Sequence, residues 1–386
     1  MPKDQDLGNN YYPSGWQPKY EFEESIGIGE ITHVGTDKNY KDNFDNILKQ
    51  WGFDPEHYEI DGVVKASSWN TQLKGGTVET FYAFKGIVRK KDPLKDEYVA
   101  ELFKEISKKP KLKVKKRGGD TAFLFMLADW QLGKSDLGVD ATVKRLELGL
   151  TSAVQRIKDL RKSGVKIKSV YLVGMGDLTE NCHGFYDSQP HNIELSLKEQ
   201  YHLARKLIMR CVDTFLPLVD EIILAGVPGN HGEMSRSGKG NVTTSRLDNS
   251  DTMHLEICGE IMAENPRYNK VKVDVATDFH QVLDIYGQKV AFTHGHMTGG
   301  GGDPTAKILN WWKGQMFGFL PPGESNILIS AHYHHFRSLQ QGDRTWFQCP
   351  AIDKSLDFTA RTGLWAHPGV LTLTVNKDGW DNLSIL

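Results

Sequence analysis

Apolar residues in the middle of the chain repeat one pattern, in which a short apolar run is followed by a helix-length stretch with one apolar face. The run AFLFMLAD ends in a polar loop, and the helical pattern that follows it is closed by Gly164. The runs VYLVGMGD and EIILAGVPGNHG precede similar helical patterns near 195–216 and 251–263. Strands that alternate with helices in this way predict βαβ crossovers and an α/β fold.

Beyond Lys270 the pattern changes from strand–helix units to pairs of strands. Tight turns are predicted at 286–287, at 342–343 and at 377–379, each between two runs of strand-forming residues. Connections of two or three residues that contain glycine predict β-hairpins.

The first third of the chain is organised differently. Residues 1–35 are rich in Gly, Pro, Asn and Glu and have no sustained period, which predicts an irregular or disordered arm. Residues 36–117 predict a small α+β module, with a helix in 37–51, a strand in VETFYAFKGIVRKK and a basic linker at the end. We place the domain boundary near Gly118, so that the α/β domain covers 118–386.

The composition is that of an ordinary globular protein. Of 386 residues, 39% are hydrophobic and 25% charged, and the net charge of -2 gives no global field that indicates a nucleic-acid or membrane partner. No window approaches the roughly 18 apolar residues of a membrane span, and the first residues do not resemble a signal peptide. The four cysteines contain no C-x-x-C pair, which argues against a disulfide framework. We therefore expect a cytoplasmic protein without a membrane partner.

Oxygen and nitrogen side chains follow directly after several of the apolar runs. Open α/β sheets bind ligands at the carboxyl ends of their strands, so these side chains are the candidate site. The candidates are Asp129, Gln131, Asp177, Asn230, His231, His294, His296, His332 and His334. Carboxylate, amide and imidazole groups without a thiolate suit divalent manganese, iron, zinc or nickel.

The order D-x-Q, GD, GNH, HGH and AH-x-H resembles the motif order of the calcineurin-like metallophosphoesterase family, over about residues 121–386. The resemblance implies a four-layer αββα sandwich, hydrolysis of phosphate esters and two divalent metal ions. It also implies a set of roles for the candidate residues: Asp129, Gln131 and His334 on one ion, Asn230, His294 and His332 on the other, Asp177 as the bridge, and His231 beside the leaving group.

The chemistry gives a physical reason for these residue types. Two cations held close together bind phosphate oxygens, lower the pKa of a bound water and stabilise the charge of an in-line displacement. The bridge must be a carboxylate, because a neutral bridge would leave two cations repelling each other at short range. An imidazole can donate a proton to the departing alkoxide near neutral pH. Asp177 and His231 are therefore the expected catalytic residues.

The sequence departs from the family pattern in its metal ligands. Gln131 stands where many members have histidine, and an amide oxygen is a harder and weaker ligand than an imidazole. We expect this ion to be lost first, and manganese to support activity better than zinc.

Two further departures concern the histidines. Gly232 stands where the family has a carboxylate next to His231, and Glu233 is the expected replacement one position later. Ala331 replaces the usual glycine before the final pair of histidines. We expect that pair to lie on an extended segment, so that alternate residues point the same way and each reaches one metal of the pair.

Other residues near these motifs have two interpretations each. His296 lies either beside the metal ligands or against the substrate. Arg236, Lys239 and Arg246 follow the GNH motif, and they either bind a phosphate or belong to a solvated loop. The basic residues in 108–117 form either a solvated linker or a surface that follows a phosphate backbone.

The metal ligands specify a reaction without naming its substrate. GDLTEN and the basic module favour a manganese-dependent phosphodiesterase or nuclease that acts on DNA and resembles the DNA-repair exonuclease branch. The alternatives are a small-molecule or cyclic-nucleotide phosphodiesterase, and a non-catalytic nucleic-acid-binding or scaffold protein. The module with Trp51 and Trp69 resembles segments fused to phosphoesterases in bacteriophage genomes, for which the cytoplasm would be that of the host cell. The sequence does not specify an oligomeric state.

Overall fold

The chain divides into two compact units, Met1–Asp96 and Glu97–Leu386. The computed structural model describes residues 12–23, 28–72, 76–90, 98–112, 118–234, 236–237, 240–241, 245, 248–299, 302–354, 359–360, 363 and 365–386.

The first unit is a four-stranded antiparallel sheet with one short helix. Its elements are β1 Lys19–Glu23, β2 Ile28–Gly35, a 3-10 turn Tyr40–Asn43, α1 Phe44–Gln50, β3 Tyr58–Gln72 and β4 Val78–Lys90, with the strand order β1-β2-β4-β3. Ile47 and Leu48 of α1 pack against Ile31, Phe84 and Val88 of the sheet. The helix and the strand predicted in this part of the chain are both present.

The irregular arm predicted over 1–35 is wrong for residues 19–23 and 28–35, which form strands. Strand β2 pairs with β4 along its whole length, from Ile28 opposite Arg89 to Gly35 opposite Tyr82. Glycine suggested irregular structure here, but Gly29 allows β1 to approach β2 closely. A Cβ at Gly29 would lie 2.3 Å from the backbone oxygen of Glu21 on β1. The rest of the predicted arm includes 1–11 and 24–27, which lie outside the described residues.

The second unit alternates strands and helices and then forms hairpins, as predicted. Its helices are α2 Tyr98–Ser107, α3 Val139–Lys162, α4 Leu197–Phe215, α5 Ser250–Ala263 and α6 Pro304–Phe317. Its strands are β5 Thr121–Leu127, β6 Ile167–Gly174, β7 Glu221–Gly226, β8 Arg236–Ser237, β9 Gly240–Asn241, β10 Val271–Val275, β11 His280–Ile285, β12 Gln288–Thr293, β13 Ile327–Ser330, β14 Arg337–Gln341, β15 Arg344–Gln348, β16 Leu371–Asn376 and β17 Gly379–Ile385. In the described part of the chain, no helix has the length and apolar character needed to cross a membrane.

Two large sheets organise the second unit. The six-stranded sheet has the order β10-β7-β6-β5-β16-β17. Strands β10, β7, β6 and β5 are parallel, β16 is antiparallel to β5, and β17 is antiparallel to β16. The five-stranded sheet has the order β11-β12-β13-β15-β14, with a parallel centre and an antiparallel strand at each edge. The unit is therefore mixed α/β, and each sheet contains parallel strands whose carboxyl ends meet at one edge.

Alternate side chains of the strands supply three apolar cores. One face of β5 contributes Phe123 and Phe125 to a core shared with α3, α4 and α5. The other face contributes Leu124 and Met126 to a core shared with the five-stranded sheet. The outer face of that second sheet packs against α6, where Trp312 is buried and its Nε1 donates to a backbone oxygen. Parallel strands buried on both faces explain why β5 is one unbroken apolar run.

Helix α2 belongs to the second unit, although we assigned its residues to the N-terminal module. Leu102 and Ile106 are buried in the core that α4 and α5 share with the six-stranded sheet. The units therefore divide at 96–97 and not near Gly118. The basic run around the helix suggested a linker, because the apolar residues that anchor the helix are few.

Candidate metal centre

The predicted site residues lie just beyond the carboxyl ends of five strands. Asp129 follows β5, Asp177 follows β6, Asn230 and His231 follow β7, His294 follows β12 and His332 follows β13. The first three strands are parallel neighbours in one sheet, and the last two are parallel neighbours in the other. The two sheets therefore bring loops from distant parts of the chain to one place.

Five predicted ligands have left-handed backbone conformations. The φ angles are 47° at Asp129, 42° at Gln131, 54° at Asp177, 72° at His332 and 61° at His334. Residues other than glycine rarely adopt this conformation, which costs on the order of 1–3 kcal/mol at each position and is typical of functional sites. The conformation turns the chain sharply after each strand.

The closest cluster surrounds Nε2 of His294. This nitrogen lies 3.0 Å from Oδ2 of Asp177 and 3.1 Å from Oδ1 of Asn230. The other ring nitrogen, Nδ1, donates to the backbone oxygen of Met175 at 2.7 Å, since a carbonyl only accepts. Ligand atoms of Asp177, His294 and His332 all lie within 4.8 Å of one another.

These separations fit a divalent ion. Two atoms that each lie about 2.1 Å from one ion, at right angles to each other, are about 3 Å apart. The oxygen atoms of Asp177 and Asn230 have this spacing from Nε2 of His294. Because a carboxylate, an amide oxygen and imidazoles are ordinary ligands of divalent transition metals, the donor set fits as well as the spacing.

A buried carboxylate that sequence reasoning missed holds this cluster in place. Asp251 accepts hydrogen bonds from the backbone N–H groups of Asp177 at 2.9 Å, Leu178 at 2.9 Å and Gly229 at 3.0 Å. A Cβ at Gly229 would lie 2.2 Å from Oδ1 of Asp177, so only glycine allows this approach. Asp251 lies in the first turn of α5, where an acidic residue normally indicates only a favourable helix dipole.

A second group of predicted ligands surrounds Asp129. Nε2 of His334 lies 3.4 Å from Oδ1 of Asp129, and the backbone N–H of His332 donates to Oδ2 at 3.2 Å. Oδ1 is buried, and among the described residues the His334 ring is its one neighbouring donor group, at a distance longer than a good hydrogen bond. A buried carboxylate oxygen that is incompletely hydrogen-bonded is a position that suits a cation.

Gln131, the third predicted ligand of this group, contacts a cation of the protein itself. Its Oε1 accepts a hydrogen bond from Nζ of Lys134 at 3.1 Å. The same Nζ forms an ion pair with Oδ2 of Asp353 at 3.0 Å. Sequence reasoning missed both residues, because lysine and aspartate in loops are usually exposed.

The segment that carries the last two histidines is not extended, and that prediction is wrong. Strand β13 ends at Ser330, and the left-handed φ angles of His332 and His334 turn the chain at each histidine. The rings separate through these turns and not through strand alternation. The ring of His332 lies 5.0 Å from that of His294, whereas His334 faces Asp129.

The carboxylate of Glu180, which we had not singled out, lies beside His231, where we expected that of Glu233. Nδ1 of His231 is 2.8 Å from the backbone oxygen of Glu180 and 3.5 Å from its carboxylate Oε2. The backbone N–H of His231 donates to Oδ1 of Asp177 at 2.8 Å. Glu180 belongs to GDLTEN, three positions after Asp177, so the signal was present in the sequence. Position 232 has no room for an acidic side chain, because a Cβ there would lie 2.4 Å from Oδ2 of Asp251.

Two aromatic residues complete the surroundings of His231. The ring of Phe185 stacks on the imidazole, with centroids 4.2 Å apart and planes 7° from parallel. The hydroxyl of Tyr186 donates to Oε1 of Glu180 at 2.8 Å. The loop after β6 thus orients both the histidine and its carboxylate.

Burial and charge set the protonation of the cluster. Burial opposes protonation of His294, but the Asp177 carboxylate prevails and raises its pKa to about 9. Burial also opposes ionisation of Asp177, yet His294 and His231 hold its pKa well below the usual range. Burial lowers the pKa of His332 to about 4, so this ring is neutral at pH 7. Burial and the charge of Asp177 raise the pKa of Asp251 to about 6.

The remaining candidates differ in position. The ring of His296 lies 5.3 Å from that of His294 and edge-on to Phe279, so it adjoins the cluster. Lys239, Arg246 and the side chain of Arg236 lie outside the described residues, as do residues 113–117 of the basic run. Within the described part of that run, Lys109 forms an ion pair with Asp213 at 2.7 Å.

Comparisons with known proteins identify distant structural likenesses. No protein-family model matches the sequence, and no curated protein matches it. Vacuolar protein sorting 29 of Cryptosporidium parvum is 12% identical, with 69% of this chain and 97% of that chain covered and a TM-score of 0.33. An archaeal phosphodiesterase is 14% identical, with 69% and 99% covered and a TM-score of 0.32. Zinc-bound Vps29 of Entamoeba histolytica is 14% identical, with 67% and 88% covered and a TM-score of 0.30.

Proposed function

We propose that the protein is a metal-dependent phosphoesterase of the calcineurin-like type that hydrolyses phosphate diesters. One observation carries the proposal: oxygen atoms of Asp177 and Asn230 converge on Nε2 of His294 at the spacing of metal ligands, and His231 is fixed to the same carboxylate. Helices, two facing sheets and α6 form layers that support the four-layer αββα arrangement implied by the motif order.

Two groups of side chains would hold the metal ions. Asn230, His294 and His332 form one group and Asp129, Gln131 and His334 the other, with Asp177 as the bridge. Bound divalent ions, with manganese as our first choice, would stabilise charge on the phosphoryl oxygens and lower the pKa of a water. Asp177 would supply negative charge between the two ions and reduce their mutual repulsion.

His231 would transfer the proton to the leaving group. Its Nδ1 donates to the backbone oxygen of Glu180, so Nε2 is the nitrogen that exchanges a proton with the departing oxygen. The Glu180 carboxylate lies 3.5 Å from Nδ1, and Phe185 stacks on one face of the ring, so both neighbours orient the imidazole. In this role the histidine would act without binding metal.

The substrate class is a further part of the proposal. We propose DNA as the polymer substrate, because of the motif GDLTEN and the lysines in the basic run. We propose the cytoplasm as the compartment. If the gene belongs to a bacteriophage, this would be the cytoplasm of the host cell. Small-molecule and cyclic-nucleotide diesters are the competing substrates for the same reaction. Both classes contain the diester that two cations and one general acid can cleave.

The test is a substrate panel with the full chain. Purified protein is assayed with bis-p-nitrophenyl phosphate, p-nitrophenyl phosphate and labelled single-stranded DNA, with manganese and with a chelator. We expect diester turnover that requires the metal. Hydrolysis of the small diester without DNA cleavage would rule out the nuclease proposal. No hydrolysis of any ester would favour the scaffold alternative.

Two variants make the panel specific. Asp177→Asn should abolish turnover, because it removes the bridging charge while the neutral amide keeps the shape of the side chain. His57→Ala is the matched control, since His57 is 65% exposed and lies in the first unit, and it should leave turnover unchanged. Full activity of Asp177→Asn would overturn the proposed function.

A further inference from the structure

The ammonium group of Lys134 lies in one half of the proposed metal centre. We call this the Asp129 half, because it is formed by Asp129, Gln131 and His334. Nζ of Lys134 lies 3.1 Å from Oε1 of Gln131, the atom that would have to bind a metal in this half. Lys134 is three residues after Gln131 in the same loop, and its backbone N–H also donates to the backbone oxygen of Gln131. The two residues therefore form one local unit.

Lys134 is held in this position by Asp353. Nζ and Oδ2 are 3.0 Å apart, and the two side chains are only 14% and 5% exposed. The backbone N–H of Asp353 donates to the backbone oxygen of Asp129, which ties the ion pair to the predicted metal ligand. A lysine enclosed in this way cannot move its charge into water without leaving a buried carboxylate unpaired.

The two halves of the centre are consequently unequal. The other half, which we call the Asn230 half, is formed by Asn230, His294 and His332. It offers oxygen and nitrogen atoms around His294, and among the described side chains no lysine or arginine lies there. In the Asp129 half, an incoming cation meets an ammonium on the oxygen it needs, and two like charges about 5 Å apart in a protein interior repel each other.

We propose that Lys134 restricts metal binding in the Asp129 half, so that the protein binds one divalent ion tightly and a second ion weakly. This inference rests on the proposed function only in that the cluster binds metal. Lys134 is the residue that would limit occupancy of the second metal site. Lys134 is a positioning residue for Gln131, and its charge limits the second ion whether or not the protein turns over an ester.

The experiment is a titration of the metal-free full chain with Mn²⁺, followed by calorimetry and by equilibrium dialysis. The wild type should bind one equivalent tightly and a second at least about tenfold more weakly. Lys134→Met should tighten the second site by about 10- to 100-fold and leave the first unchanged. Lys134→Arg keeps the charge, so its second site should stay weak.

Two controls separate this effect from trivial ones. Lys134→Met with Asp353→Asn removes both charges, so a tighter second site there cannot come from Asp353 acting as a new ligand. Lys109→Met removes a comparable lysine of another ion pair and should change neither site.

The inference is overturned if the wild type binds two equivalents with equal affinity, if Lys134→Met leaves the second site unchanged, or if the gain disappears in the double variant. Absence of Mn²⁺ binding in every variant would overturn both this inference and the proposed function. The expected binding pattern without turnover of any ester would sustain the inference and overturn the proposed function alone.

Discussion

Nε2 of His294 lies 3.0 Å from Oδ2 of Asp177, and both side chains are buried. In the metal-free protein this is an imidazolium–carboxylate pair, because Asp177 raises the pKa of His294 to about 9. On our proposal a divalent ion would need the lone pair of the same nitrogen, so a proton and the ion would compete for one atom.

We predict that Mn²⁺ binding becomes tighter as the pH rises from 7 to 9. Below about 9 the ion must displace a proton from His294, so affinity should rise by up to about tenfold per pH unit and then level off. His332 adds nothing to this slope, because its pKa is lowered to about 4. Calorimetry in two buffers of different ionisation enthalpy counts the protons released.

The matched control for this prediction is His294→Gln. A glutamine keeps a polar side chain without a titrating nitrogen, so any Mn²⁺ binding that remains at Asp177 and Asn230 should depend less on pH between 7 and 9. Constant wild-type affinity between pH 7 and 9, with no proton released, would contradict the account of the pair.

Glu180→Gln should lower kcat by about 10- to 100-fold and leave metal content unchanged. The substitution removes the negative charge that lies 3.5 Å from Nδ1 of His231, so we expect part of the roughly 10²- to 10⁴-fold contribution of a general acid to be lost. Steady-state kinetics with a diester, together with elemental analysis, measure both effects. Glu233→Gln is the comparison: a larger loss there than in Glu180→Gln would restore the partner that the sequence suggested.

Phe185→Ala should lower kcat about tenfold with little change in KM. Without the stacked ring, 4.2 Å from the imidazole, His231 loses one of the contacts that fix its orientation. Phe185→Tyr keeps the flat ring and should retain most of the rate. Loss of bound metal in Phe185→Ala would mean that the ring supports the metal ligands and not the histidine alone.

Gly229→Ala should destabilise the protein by about 1–3 kcal/mol and weaken Mn²⁺ binding, because the added Cβ meets Oδ1 of Asp177. Gly314→Ala is the opposite case. Gly314 lies inside α6 with no atom within 4 Å of an added Cβ, so alanine should raise the free energy of unfolding by about 1 kcal/mol. Chemical denaturation measures both, and equal effects would contradict the packing described for the centre.

The sequence predicted the repeating elements well, because buried parallel strands are unbroken apolar runs and their helices have one apolar face. The hairpin turn at Tyr286 and Gly287 could also be predicted, because a two-residue turn depends on local sequence. Both residues have the positive φ angles of such a turn. The position of β16 beside β5 was not readable, since this pairing joins distant parts of the chain. Strand β2 was missed because its pairing with β4 is also non-local.

The candidate site was predictable where a motif carried the chemistry, and not where burial did. Asp177, His294 and His332 were chosen from the ends of apolar runs, and the structure brings their ligand atoms together. Lys134 and Asp353 are 219 positions apart, and each alone has the sequence signature of a surface residue. Their pairing, like the left-handed turns at the histidines, depends on the folded loops.

Anomalous X-ray diffraction from crystals of the full chain grown with Mn²⁺ tests the central claim most directly. We predict a peak in bonding contact with Asp177, Asn230, His294 and His332, and a weaker peak or none between Asp129 and His334. Manganese bound elsewhere, or a centre that stays empty at saturating Mn²⁺, would contradict the account.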